Sequence, residues 1–216
     1  MGLDFVADRW DQIWSASWQH LSLVVQCLLL AVVIAVGVAA LVHRSPRLSG
    51  LAAGVSAVGL TLPSFALVGL LIAPLGFGVV PSVVVVTFFA TLPILRNAVV
   101  GLNEVDPALV ESARGLGMGA ARTFLTVQLP LAWPIVLTGI RVSAQMVMGI
   151  AAVAAYALGP GLGGFIFSGL SRLGGANALA SVVTGVVGVV VLAFLLDLLL
   201  VGLGRLTVSR GLHVQH

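Results

Sequence analysis

The sequence predicts an all-α integral membrane chain with about five transmembrane helices. Of its 216 residues 60% are hydrophobic and only 8% charged, whereas an ordinary soluble domain carries about a quarter charged residues. The 48 residues between Arg47 and Arg96 contain no Asp, Glu, Lys or Arg. The apolar runs are continuous instead of alternating, as in the four valines 83–86 and in residues 186–196, which favours helices over barrel strands.

Seventeen charges cannot cover a soluble domain of this length, and so apolar a chain is not disordered. The single cysteine, Cys27, excludes a disulfide framework and any zinc site built on paired cysteines. The absence of lysine excludes a Walker-type phosphate loop and Schiff-base chemistry. Any ATP-driven work therefore requires a nucleotide site on another subunit. No catalytic residue and no metal site is expected, nor any cofactor in this chain.

As helix, the uncharged stretch would run roughly 72 Å, about twice the ~30 Å hydrocarbon core, so it crosses twice. Its break is placed at residues 74–81. Spans are expected at about 21–42, 51–73, 79–101, 131–157 and 176–203. His43, Arg44 and Arg47 follow the first span, Arg114 and Arg122 the third, and Arg205 and Arg210 the fifth. The other side holds Arg9 and Arg172, with Asp4, Asp8 and Asp11 near the start. By the positive-inside rule the N-terminus lies outside and the C-terminus in the cytoplasm, which five spans satisfy.

Residues 1–20 lack the basic start and cleavage site of a secretory signal. Trp10, Trp14 and Trp18 recur every four residues and form one stripe on an extracytoplasmic, interfacial amphipathic segment; an aromatic cage for a cation is the alternative. Residues 21–206 form the membrane domain and 207–216 a cytoplasmic tail.

The loop at 103–130 stands apart, since residues 103–122 hold five of the seventeen charges. Asp106 is placed to cap a helix that begins at Pro107 and runs through 108–114, with Gly115 and Gly117 allowing a turn. Glu111 and Arg114 share a face and can pair. A second short helix, 120–129, is expected to stop at Pro130.

Glu111-Ser112-Ala113, Gly117 four residues later, then nine residues and Val127-Gln128-Leu129-Pro130 resemble the EAA loop of ABC importer permeases, EAA-x3-G-x9-I-x-L-P. Ser112 replaces an alanine and Val127 the isoleucine. Further segments resemble the osmoprotectant branch, which imports glycine betaine, choline, carnitine and related quaternary ammonium compounds. They are Thr61-Leu62-Pro63-Ser64, Leu92-Pro93-Ile94-Leu95-Arg96-Asn97, Val105-Asp106-Pro107-Ala108-Leu109, Leu137-Thr138-Gly139-Ile140-Arg141 and Gly159-Pro160-Gly161-Leu162-Gly163. The methionine-type amino-acid importer branch has similar length and the same loop and is the alternative.

The resemblance implies a type I importer permease (MetI-like) fold in the plasma (inner) membrane of a prokaryote. It implies ABC ATPase subunits that bind ATP and Mg, an extracytoplasmic substrate-binding protein, and a second permease in a homo- or heterodimer, all surrounded by membrane lipid and without nucleic acid. It assigns ATPase coupling to Asp106, Pro107, Glu111, Ser112, Ala113, Arg114, Gly117, Leu129 and Pro130.

Polar groups and helix breaks inside the spans are the candidates for the translocation path: Thr61, Pro63, Ser64, Thr91, Pro93, Asn97, Ser143 and Gln145. Prolines free carbonyls that lipid does not satisfy, which points Pro63 and Pro93 inward; the alternative is local bonding by the hydroxyls and simple kinks. The glycine-rich outer segment, with Gly161, Gly163, Gly164 and Arg172, is too rich in glycine for an ordinary helix start. It suggests a re-entrant gate and docking surface for the binding protein, or a flexible connection. Gly50 and Gly54, or Ala53 and Ala57, would allow close helix contacts. Asp197, about six residues from the end of its span, is the one carboxylate a proton-coupled carrier could use. Snorkelling or an ion pair with Arg96 or Arg141 is the preferred reading. A secondary carrier or channel explains the spans and leaves the loop without a purpose; a membrane scaffold explains less.

Overall fold

A computed structural model describes residues 2–207. Arg210 and the expected tail beyond Thr207 lie outside the described residues. The chain forms α1 (Gly2–Asp8), α2 (Trp10–Val42), α3 (Pro46–Thr61), α4 (Ser64–Leu75), α5 (Val79–Asn103), α6 (Pro107–Gly115), α7 (Ala120–Thr123), a π turn (Phe124–Gln128), α8 (Leu129–Ala154), a 3-10 turn (Ala155–Ala157), α9 (Gly163–Leu170) and α10 (Ala178–Thr207), with no strand among the described residues.

Four helical stretches are long and apolar enough to cross a membrane: Trp10–Val42, Val79–Asn103, Ala120–Ala157 and Ala178–Thr207. The bent pair α3 and α4 makes a fifth if taken as one span. That pair corrects the expected straight span at 51–73, because the two helices meet at 92°. Pro63 has no N–H to continue α3 and forces Leu62 into extended backbone, φ −66° and ψ 130°. Pro63 is solvent-exposed in the chain, whereas Pro93 is buried. The expected break at 74–81 is present, with Gly76 at φ 74° and Gly78 at φ 125°. Helix α2 runs unbroken through residue 20 for 33 residues, about 50 Å at 1.5 Å per residue, and carries the three exposed tryptophans on its first turns.

Helix α5 is the centre of the bundle. It packs against α8, α2, α3 and α4 and buries residues on nearly every side, from Val85 and Phe89 to Ile94, Ala98 and Leu102. The approach to α8 is closest. A Cβ at Gly139 would lie 2.8 Å from Asn97 Cβ and 3.0 Å from the Pro93 carbonyl oxygen, and one at Gly101 would lie 3.0 Å from the Ala132 carbonyl oxygen. The buried Ser143 hydroxyl donates across the same seam to Ala90 O at 2.7 Å. Small residues at these points let the two backbones meet, which drives helix association where lipid is as apolar as the side chains. Helix α10, by contrast, is apolar all round and largely exposed, with Phe194, Leu198 and Leu199 uncovered, as a helix facing lipid would be.

Gly50 and Gly54 have no protein atom within 4 Å of an added Cβ; they line an exposed apolar groove with Leu51, Val55 and Phe88. The intrachain contact on α3 is made by Gly59 instead, against Leu92.

Gly139→Val should lower stability by about 1–3 kcal/mol through overpacking of the α5–α8 seam. Gly149→Ala, on the same helix with open space around it, should be neutral or slightly stabilising. Thermal unfolding of the purified protein in detergent measures both.

Candidate functional site

At one end of the bundle, α5 ends at Asn103 and the loop to α8 builds a compact polar unit. The Asp106 carboxylate accepts from the Ala108 N–H at 2.8 Å, and Pro107 occupies the first helical position, where no N–H is needed. The Ser112 hydroxyl bonds back to Ala108 O at 2.8 Å. Helix α6 closes when Gly117, at φ 83°, turns the chain so that its N–H reaches Arg114 O and the Met118 N–H reaches Ala113 O. Ala113 is buried beneath the unit, while Glu111, Ser112, Arg114 and Gly117 are exposed. No hydrogen bond or salt bridge joins Glu111 to Arg114 among the described residues, so the expected pair is not made. Both side chains stay hydrated, and an exposed pair contributes little.

Pro130 does not stop the second short helix as expected. The stretch Ala120–Ala157 is continuous, because the chain passes through the π turn. There the Leu129 N–H bonds Phe124 O five residues back, and Pro130 then enters α8 at its first turn. The extra residue in the turn accommodates a ring that would otherwise meet the carbonyl four residues earlier. Beside the turn lies a cleft of about 630 Å³ lined by Leu109, Thr126, Val127, Leu129, Pro130 and Trp133. Trp133 Nε1 donates to Thr207 Oγ1 at 2.9 Å and ties the start of α8 to the end of α10.

A buried contact under the same unit was not singled out in the sequence. His43 Nδ1 lies 3.1 Å from Ala39 O and 3.0 Å from Ala40 O. Both are acceptors, so Nδ1 carries the proton and Nε2 accepts from Gln128 Nε2 at 3.5 Å. This joins the end of α2 to the π turn. A second unflagged histidine, His20, is fully buried at the opposite end and donates from Nε2 to Met148 O at 3.1 Å. Lone histidines without a metal-type spacing give no sequence signal; the positive φ of Gly161, 116°, is the counterpart that makes room, since a Cβ there would lie 2.6 Å from His20 Nδ1.

The span candidates divide. Thr61 bonds Val58 O at 2.7 Å, Thr91 bonds Thr87 O at 2.8 Å, and Asn97 bonds Pro93 O at 2.8 Å, each within its own helix. Pro93 and Ser143 are buried in the α5–α8 seam, while Gln145 is exposed on α8 and Ser64 half-buried at the start of α4. The glycine-rich outer segment does begin a helix, contrary to expectation. Gly163 opens α9 because its backbone sits against Ala152 O, where no side chain fits. Gly164 is exposed, and Arg172 is held by the Ser168 carbonyl at 3.0 Å and by its hydroxyl.

Between α8 and α10, Arg141 donates from Nε to Asp197 Oδ1 at 3.0 Å and from Nη2 to Oδ2 at 3.1 Å. The ion pair is therefore made with Arg141 and not Arg96. Asp197 lies ten residues before the end of α10, which continues to Thr207. Among the described residues no group of three His, Cys, Asp or Glu could hold a metal ion.

A bundle of apolar helices long enough to cross a membrane, with a capped polar helix at one end, is the architecture of an integral membrane subunit. Residues 28–207 match the family model for the binding-protein-dependent transport system inner membrane component, and the chain belongs to that family. It is 38% identical over 155 residues to the carnitine transport permease OpuCB of Listeria monocytogenes, covering 72% of this chain and 71% of that one. It is 32% identical to the choline transport system permease OpuBB of Bacillus subtilis, over 97% of this chain and 95% of the relative. In structure it resembles the inward-facing MetNI methionine ABC transporter with a TM-score of 0.76 at 20% identity, covering 91% of this chain and 96% of that one. The protein is thus a multi-pass membrane permease subunit of a binding-protein-dependent transport system, with the methionine-permease-like fold.

Asp106→Ala should weaken α6 by about 1 kcal/mol through loss of the cap. Faster hydrogen exchange at the amides of residues 108–111, with α8 unchanged, would register it.

Proposed function

We propose that this chain is the permease of an ATP-driven, binding-protein-dependent importer of osmoprotectants of the glycine betaine, choline and carnitine type. One observation carries the coupling half of this reading: α6 is a capped, exposed helix joined to the central α5 by three residues and to α8 through the tight glycine turn at 116–119 and the short α7, which runs on into α8. Such a helix transmits a displacement instead of absorbing it. Seated in a groove of the ATPase, Glu111 and Arg114 would meet complementary charge, and Gly115 and Gly117 would allow close backbone approach. Closure of the ATPase dimer around ATP would then swing α5 and α8 and switch the spans between inward-facing and outward-facing states.

Support for the substrate class comes from relatives named for carnitine and choline transport at 32–38% identity; the likeness to the methionine transporter concerns the fold. The arrangement assigned here puts α6 on the cytoplasmic side, the N-terminus and α9 outside, a binding protein over the outer rim at Gly161, Gly163, Gly164 and Arg172, and a second permease alongside. The arginine-rich ends at residues 43–47 and 114–122 favour this orientation. The path would run along the exposed polar groups of the spans.

Glu111→Lys and Gly117→Asp should each abolish uptake of labelled glycine betaine or choline in cells while the permease still reaches the membrane in normal amount. Wild-type uptake by both variants would overturn the assignment of the coupling loop.

A further inference from the structure

The coupling reading makes no use of the Arg141–Asp197 pair, whose position is unusual for a structural salt bridge. At 1.5 Å per residue, Arg141 is about 18 Å along α8 from Leu129 and Asp197 about 15 Å back along α10 from Thr207. Both charges thus lie several turns inside helices long enough to cross the ~30 Å core. Yet they are not enclosed: the Arg141 side chain is 40% and the Asp197 side chain 22% exposed.

An open guanidinium at that depth is costly against lipid and belongs beside protein or water. The surface of α8 around it supports water. Thr138 and Gln145, on the same face as Arg141, are exposed, as is Gly149 beyond them, whereas the face bearing Gly139 and Ser143 is pressed against α5. One face of α8 is therefore a seam and the other a polar strip in an otherwise apolar exterior.

The geometry of the pair leaves it capable of binding. Asp197 engages Nε and Nη2, and Nη1 has no protein partner among the described residues. Asp197 thus fixes the plane of the guanidinium and offsets its charge, so that an arriving anion meets an oriented donor without a deep electrostatic trap. A planar fork of N–H groups matches a carboxylate better than any other side chain does.

We infer that Arg141, held by Asp197, is a subsite within the spans for the carboxylate of a zwitterionic solute. The inference rests on the osmoprotectant reading and narrows it to solutes that carry a carboxylate with their quaternary ammonium. The solute's carboxylate takes the Nη1 edge, and Thr138 and Gln145 extend the polar strip on either side along α8. Asp197 is a positioning residue, since it acts through the guanidinium.

The test uses the assembled transporter, with its ATPase and binding protein, in proteoliposomes. Uptake of glycine betaine is compared with uptake of choline, which has the same trimethylammonium group and no carboxylate. The R141Q/D197N double variant removes both charges and leaves no unpaired ion. It should lose glycine betaine uptake about tenfold or more, as expected for one charged hydrogen bond, and keep choline uptake within about twofold. Equal partial loss or equal retention of the two solutes would overturn the subsite. Should the double variant move neither solute, Arg141→Lys decides, since it keeps the charge and the pairing and loses the fork: selective loss of glycine betaine uptake supports the subsite, and equal effects on both overturn it. A wild type that moves choline alone contradicts the subsite while leaving the osmoprotectant reading standing. A wild type that moves neither overturns that reading and the subsite with it. In a wild type that moves glycine betaine alone, the double variant's ATP hydrolysis stimulated by the binding protein is the readout: hydrolysis retained with uptake lost supports the subsite, and hydrolysis lost as well overturns it.

Discussion

The close approach of α5 and α8 is the contact on which the remaining architecture depends. Lipid offers helices no hydrophobic gain for meeting one another, so association rests on how near the backbones come. Gly101 and Gly139 bring carbonyls of the facing helix to 3.0 Å from where a Cβ would be, inside van der Waals contact, and Ser143 spans the seam with a hydrogen bond to Ala90 O. Helices α2 and α3 then pack on α5, and α10 on α8. The polar loop is attached to the same two helices at their shared end, so a force on α6 is delivered to the best-packed pair in the molecule. The His43–Gln128 contact brings the end of α2 into the same joint.

The departures from regular helix sit where they serve this arrangement. The π turn allows the loop helix to run into α8 across Pro130 without a hinge, keeping the connection stiff. The 92° break at Pro63 does the opposite to the second span, giving a bent pair whose outer surface, including Leu62 and Phe65, is exposed. The positive φ at Gly161 and the bare backbone at Gly163 let the outer segment lie tightly over His20 and Ala152. Regular helix is thus continuous from α7 into α8, and irregular backbone falls at the glycine turn after α6, at the second span and at the outer rim.

Composition and charge position carried most of the fold. Five apolar stretches, the break at 74–81 and the capped helix from Pro107 follow from signals that are local in the chain: hydropathy, a turn-forming glycine, a carboxylate before a proline. What escaped is what hydropathy does not register. The apolar run across Pro63 is as apolar in a bent pair as in a straight span. Pro130 reads alike as the end of one helix and as the first turn of the next, and only the π turn decides between them. His20 and His43 owe their roles to partners more than eighty residues away, Met148 and Gln128. The Arg141–Asp197 pairing was left open between two arginines because separation in sequence does not say which helix faces α10. Among the candidate site residues, the loop set forms a contiguous motif in the sequence, while the burial of Pro93 and Ser143 in the α5–α8 seam is a property of the assembled bundle that the sequence does not display.

The central claim is that this chain moves solute only when a partner ATPase drives it through the loop helix. Uptake into proteoliposomes containing the permease, its ATPase and the binding protein tests this most directly, with ATP supplied on the ATPase face. Accumulation of a trimethylammonium solute against its gradient, dependent on ATP and lost when the ATPase is omitted, is the predicted result. Accumulation by the permease alone, driven by a proton or sodium gradient, would contradict it.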